Sequence, residues 1–356
     1  MQFVKPGTNI DFIGKRYIAL MLSGTLIIAT VFLLIWRGGP NFGVDFSGGV
    51  LIQIKLVEKT SPAEIKSALR PVQLQGSIVQ EFGEAAESEY LIRIRETGVE
   101  LTGISDSVAQ ALHAKFGKGV EIRRVEMVGP KVGKDLREKA LFAIFYAILF
   151  IAIYISGRFE LKWLMSLVMA ISLAFVVYIT SMLGVSVTWL VVIALIVTIS
   201  LCWFLNLKYA LGAVIALVHD VTITIGVFAL TEREISLSII AAFLTIVGYS
   251  LNDTIIVFDR IRENLRRFRR KPFEETMNSS INETLSRTIL TSSTTLVVVL
   301  ALFILGGGVI HDFAFAILIG VAVGTYSSIF VASPILLIWE GGLGKRDKGN
   351  NKGTPR

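Results

Sequence analysis

Eight apolar runs divide this chain, and each is long enough to cross the hydrocarbon core of a bilayer. They fall at residues 17–36, 140–156, 163–183, 187–207, 209–230, 237–258, 289–305 and 313–339. Inside lipid every backbone N–H and C=O must be satisfied within its own element, so runs of roughly 17–25 apolar residues fold as helices. Only 18% of the 356 residues are charged and the mean hydropathy is +0.67, a balance foreign to water-soluble domains. The expected fold is an α-helical polytopic membrane protein. The first run is followed by Arg37-Gly38-Gly39-Pro40 rather than a small-residue cleavage site, which predicts an uncleaved helix with residues 1–16 in the cytoplasm.

Between residues 37 and 139 hydropathy falls, charges of both signs appear, and no stretch could span. Val50, Ile52, Ile54 and Leu56 alternate with Gln53 and Lys55, the period of a strand. Ser61-Pro62-Ala63-Glu64 supplies a cap, a first-turn proline and an acid ahead of Ile65, Ala68 and Leu69, a helix start. Strands are expected at about 72–82, 89–96 and 120–128, with a second helix at about 104–116. The order β-α-β-β-α-β is the split βαβ, ferredoxin-like arrangement, so one α+β extracytoplasmic domain is expected at 37–139.

An even number of spans returns the C-terminus to the side of the N-terminus. The loops thereby placed inside carry Arg158, Lys162 and Lys208, the amphipathic segment 259–288 with Arg260, Arg262, Arg266, Arg267, Arg269, Arg270, Lys271 and Arg287, and the basic tail 340–356. Short outer loops hold only Arg233, in keeping with the positive-inside rule. The basic stretch 260–271 reads as a solvated face at the membrane surface, with anionic lipid or a cytosolic partner as second choice. The net charge of +7 is better explained by this asymmetry than by nucleic-acid binding. Cys202 excludes an intramolecular disulfide and reads as packing. No metal cluster, activated nucleophile or nucleotide motif is present, so neither an enzyme nor a bound cofactor is expected; Gly43-Val44-Asp45-Phe46-Ser47-Gly48-Gly49 lacks the Lys-Ser/Thr of a phosphate loop and reads as a chain reversal.

Three polar constellations interrupt the spans. Asn252-Asp253 lies roughly 9 Å from the cytoplasmic end if Asp259 marks that end. His219-Asp220 sits near the centre of its span, with Thr222 and Thr224 close by. Arg287, Thr291 and Thr294 or Thr295 share a face where the seventh run begins. An Asp costs several kcal/mol in hydrocarbon and survives by pairing, by protonating or by lining a wetted path. Asp253 opposite Arg287 is what a proton or cation relay requires; a structural ion pair is the plainer alternative. His219 and Asp220 form a secondary relay or, equally, a helix-packing contact.

These residues resemble the SecD/SecF family of protein-translocase subunits, on its SecF side. The resemblance rests on Gly248-Tyr249-Ser250-Leu251-Asn252-Asp253-Thr254 followed by Phe258-Asp259-Arg260-Ile261-Arg262-Glu263-Asn264, on residues 43–49 after the first helix, on Val218-His219-Asp220-Val221, and on Arg287-Thr288 with its Ser/Thr run. It covers nearly the whole chain. It implies a subunit of the bacterial inner membrane that works with SecD, a separate chain, beside the SecYEG channel. There it would use a proton or sodium gradient to help draw preproteins outward. SecD and SecF in turn resemble resistance-nodulation-division transporters, in which Asp253 and Arg287 match the intramembrane acid and base. The family motif turn maps to Gly43, Asp45, Phe46, Gly48 and Gly49.

The family ordinarily has six spans, so 163–207 reads as an added, peripheral hairpin on a six-helix core within 140–339. An exporter of lipids or small molecules with the same architecture, and a scaffold for SecD or the channel, are the competing readings. Apolar surface near residues 42–49 and on the outer sheet face is expected to contact SecD or unfolded chain.

Overall fold

The computed structural model describes residues 9–74, 77–82, 88–94 and 103–340. Among them eight helices are long and apolar enough to cross a membrane, as the apolar runs require. The basic tail lies outside the described residues except for Glu340. Helix α1 (Arg16–Arg37) stops at Gly38, whose left-handed backbone lets its N–H and that of Gly39 close on the carbonyls of Ile35 and Leu34. A single helical turn, α2 (Val44–Ser47), then hands the chain to the first strand.

Strands β1 (Gly49–Leu56), β2 (Ile78–Phe82), β3 (Glu89–Ile94) and β4 (Val120–Val128) form one antiparallel sheet in the order β2-β3-β1-β4. Helices α3 (Pro62–Ala68) and α4 (Ile104–Phe116) cover one face, where Ile52, Ile54 and Ile92 meet Ile65, Val108 and Leu112. This is the split βαβ domain. The Ser61 hydroxyl accepts from the Glu64 N–H, the cap that the local pattern demands. One boundary differs from expectation: residues 70–72 form a tight turn that needs left-handed Gln73, so β2 begins only at Ile78. The last two residues of the expected third strand lie outside the described residues.

Helix α5 (Pro130–Ile155) starts ten residues before its apolar run, inside the stretch read as soluble domain. Lys131, Lys134, Arg137 and Lys139 depress the hydropathy there, but extended Gly129 followed by Pro130 is a helix start in its own right. A π turn at residues 156–160 leads to the hairpin α6 (Trp163–Met182) and α7 (Val187–Phe204). Then follow α8 (Lys208–Leu230), α9 (Leu237–Arg267), α10 (Phe273–Leu305) and α11 (Gly308–Ser327), the last continuing through a second π turn to Glu340. The amphipathic segment 259–288 is thus the ends of α9 and α10 with a short break between them.

Helix α8 is the most enclosed, packed by α1, α5, α9 and α11. Of the hairpin, α7 packs against α5 and α8, and α6 lies outside it. Helix α6 buries only Ser166, Met169 and Leu173, and turns Trp163, Phe175 and Tyr178 outward. Its two ends meet where Lys162 Nζ donates to the Asn206 carbonyl at 2.6 Å. Cys202 Sγ lies 3.9 Å from Met169 Sδ, which is packing and nothing more.

Candidate functional site

Helix α9 buries a stripe at helical spacing, Ile239, Ala242, Phe243, Ile246, Val247, Ser250, Asp253 and Val257. Asp253 therefore falls on the inner face by phase alone, and it is 0% exposed. Its Oδ2 accepts from Ser292 Oγ of α10 at 3.3 Å, and that Ser292 oxygen sits 2.7 Å from Thr325 Oγ1 of α11. Oδ1 accepts no hydrogen bond among the described residues. A buried acceptor left in that condition costs about 1–3 kcal/mol.

Asp220 on α8, also 0% exposed, is treated differently. Its Oδ2 accepts from Ser250 of α9 at 2.5 Å and from Ser327 of α11 at 2.8 Å, while Oδ1 stands 2.8 Å from His219 Nδ1. His219 Nε2 reaches Ser23 Oγ of α1 at 3.1 Å, Ser23 reaches Tyr326 Oη at 3.2 Å, and Tyr326 donates to the Ala19 carbonyl at 2.8 Å. Asp220 thus ties α1, α8, α9 and α11 together.

The two carboxylates belong to one hydroxyl-lined seam. Ser250, bonded to Asp220, is one turn before Asp253 on α9; Thr325, beside Ser292, is two residues before Ser327 on α11. The seam closes because α9 and α11 cross at Gly320 and Gly324. A Cβ on Gly324 would lie 2.9 Å from the Ser250 Cβ, and one on Gly320 would overlap Ile246. The small-x-x-x-small spacing of Gly320 and Gly324 is a sequence signal for such a close crossing. Ser292 belongs to the Ser/Thr run that follows Arg287-Thr288 in the sequence; Ser23, Thr325, Tyr326 and Ser327 are further members that no local pattern announced.

Arg287 is not brought to Asp253. It precedes Ser292 by five residues on α10, roughly 7.5 Å along the axis and 140° around it, and its side chain is exposed. No ion pair joins the two among the described residues. Thr291 and Thr294 bond their own helix carbonyls. Asn252 is also exposed, about 100° around α9 from Asp253, in line with exposed Gly248 and Thr245. Both helices thus carry polar groups on an outward face within their spans.

The glycine-rich turn is a close-packed junction. Gly48 has φ of 72° and lies so near Pro130 that a Cβ would sit 2.9 Å from its Cα; Gly49 has φ of 122°. Gly43 N–H donates to the Ile235 carbonyl at 2.9 Å, Asp45 Oδ2 accepts from the Leu237 N–H at 2.8 Å, and Phe46 is buried with Phe228 and Ile239. The expectation that residues 42–49 offer apolar surface to another chain is corrected here: α5 and the α8–α9 connection cover it. Among the described residues no cluster of His, Cys, Asp and Glu could hold a metal ion.

Known proteins resemble this chain in sequence and in fold. A family model described as "Protein export membrane protein SecD/SecF, C-terminal" matches residues 108–202 and 185–342, stretches that overlap at 185–202, and a "SecD/SecF GG Motif" model matches residues 34–58. The chain is 42% identical over 350 residues to the protein translocase subunit SecF of Magnetococcus marinus, covering 96% of each chain. It is 39% identical to that of Vibrio alginolyticus, covering 94% of this chain and 91% of the relative. Among solved structures, SecDF of Thermus thermophilus, a translocon-associated membrane protein, superposes with a TM-score of 0.70 at 28% identity over 94% of this chain. SecDF in a super-membrane-facing form gives 0.58 at 27% identity over 98% of this chain. The chain spans only 39% and 41% of those two SecDF chains. With family models matching most of its length and SecF relatives aligned from end to end, the chain belongs to the SecF branch of the SecD/SecF family of protein-export membrane proteins.

Proposed function

We propose that this chain is the SecF subunit of a bacterial Sec translocase, and that it works with SecD to convert an ion gradient into late steps of preprotein export beside SecYEG. In this reading the termini are cytoplasmic, the β1–β4 domain stands on the far side of the inner membrane, and Asp253 is the coupling carboxylate. The observation that carries it is Asp253 itself: fully enclosed, at the head of a hydroxyl seam, with one oxygen unbonded among the described residues. A structural carboxylate ends up like Asp220, saturated with donors. A carboxylate that must take up and release a cation keeps an open position.

Arrival of a proton or sodium ion neutralises Asp253 and changes what Ser292 and Thr325 bond to, so α10 and α11 shift against α9. Arg287 and Asn252 face outward, where lipid would penalise them, and a companion bundle from SecD would accept them. Arg287 then acts in coupling through that companion bundle, since its outward side chain does not reach Asp253. The test is Asp253→Asn in membrane vesicles that also hold SecD and the channel. The variant should accumulate normally, and export should fall to the level seen with the gradient collapsed. Normal gradient-stimulated export would leave the scaffold reading in place.

A further inference from the structure

The α8–α9 connection, residues 231–236, is a six-residue loop whose three charged side chains are each paired to a different element. Glu232 meets Arg37 at the end of α1 at 3.2 Å. Arg233 pairs with Asp312 at the start of α11 and lies 4.4 Å over the Phe315 ring. Glu234 pairs with Arg93 of β3, whose side chain is 2% exposed. The backbone is held as well: the Ile235 N–H donates to the Asn41 carbonyl at 2.7 Å, its carbonyl accepts from Gly43, and Asp45 accepts from the first N–H of α9. Connecting loops are ordinarily solvated and loosely held. This one is bonded to β3 by an ion pair whose arginine is enclosed, and to residues 41–45, which lead into β1, by a main-chain bridge and a helix cap.

Its position makes that bonding consequential. Asp220 lies 11 residues before the loop on α8 and Asp253 lies 17 residues after it on α9, roughly 16 Å and 25 Å along rigid helices. We propose that residues 231–236 are the joint through which rearrangement of α8 and α9 displaces the β1–β4 domain, with the Glu234–Arg93 pair and the Asp45 cap as its positioning contacts. The inference rests on the ion-coupled reading of Asp253. A displacement of α9 reaches the sheet only while contacts on both sides of the loop hold; once they are broken the bundle still responds to the ion, and the domain no longer follows.

The experiment uses the full chain with SecD and the channel in vesicles, comparing Glu234→Gln, Asp45→Asn, Arg93→Gln and Arg93→Lys. Three quantities are read: accumulation, gradient-stimulated export per molecule, and decay of the imposed ion gradient. Glu234→Gln and Asp45→Asn are expected to accumulate, to lose on the order of 5-fold or more of the gradient-stimulated export, and to dissipate the gradient as the parent does. Arg93→Lys, which keeps the charge, should export better than Arg93→Gln; where Arg93→Gln fails to accumulate, Glu234→Gln decides. A purely structural role would lower accumulation and export together. Normal export per molecule in Glu234→Gln and Asp45→Asn overturns the joint. If those variants fail while Asp253→Asn exports normally, it is the coupling reading that falls.

Discussion

Asp220 and Asp253 are enclosed to the same degree and differ in how many donors reach them. Asp220 receives Ser250, Ser327 and the His219 ring, so Asp220→Ala strands three polar groups at once. Truncating one partner of such a buried set costs about 3–5 kcal/mol. Asp253→Asn forgoes a single 3.3 Å bond and should change stability by about 1 kcal/mol or less. Thermal unfolding of the purified protein in detergent checks the order; a larger loss in Asp253→Asn would mean that Asp253 is the structural member. Arg287→Ala should likewise unfold as the parent does, since its side chain is exposed, while losing gradient-stimulated export. The two acids were legible because a carboxylate in an apolar run has few reasons to be there. Their partners were not. Arg287 shares a span boundary with Asp253 but faces another way, a matter of helix rotation that spacing within one helix cannot reveal. Serine and threonine in helices bond their own carbonyls by default, so nothing local marks Thr325 or Ser327 as a partner of another helix.

The elements were easier to foresee than their contacts. Strand alternation in β1 and the Ser61-Pro62 cap of α3 act within a few residues, and both appear where the local chemistry puts them. Helix ends outside the apolar runs, such as the start of α5, were hidden by their charges. The α9–α11 crossing depends on two glycines, and Gly324→Leu should push Ser250 away from Asp220. Overpacking of this kind costs about 1–3 kcal/mol. A fall in melting temperature together with lost export is expected, and an unchanged protein would mean that the helices do not need that approach. The α6–α7 hairpin makes the opposite prediction. Lys162 and Asn206 already touch, so excising 163–205 leaves α5 and α8 connected across a short gap, and the surface uncovered is apolar. The shortened chain should insert, accumulate and support export. Failure to accumulate would make the hairpin part of the folding core.

At the scale of the whole molecule the parts sort to two ends. The β1–β4 domain, the glycine-rich turn and the loop 231–236 gather at one. At the other, residues 9–13 are bonded by Asn278 and Asn282, and the bases Arg158, Lys208, Arg260 and Arg262 collect around Asp259, Glu283 and Glu340. Counting spans and bases had already separated these ends, because charge asymmetry is a property of the whole chain rather than of any one contact. The seam of Asp220 and Asp253 runs between them, on α8 and α9, the two helices that the loop 231–236 joins. The central claim is that Asp253 takes up the driving ion, and it is tested most directly by following an imposed proton or sodium gradient in vesicles that hold the complete complex and an engaged preprotein. The parent should dissipate one of the two gradients faster when a preprotein is engaged, and Asp253→Asn should abolish that increment; an Asp253→Asn complex that dissipates it at the parental rate would contradict the account.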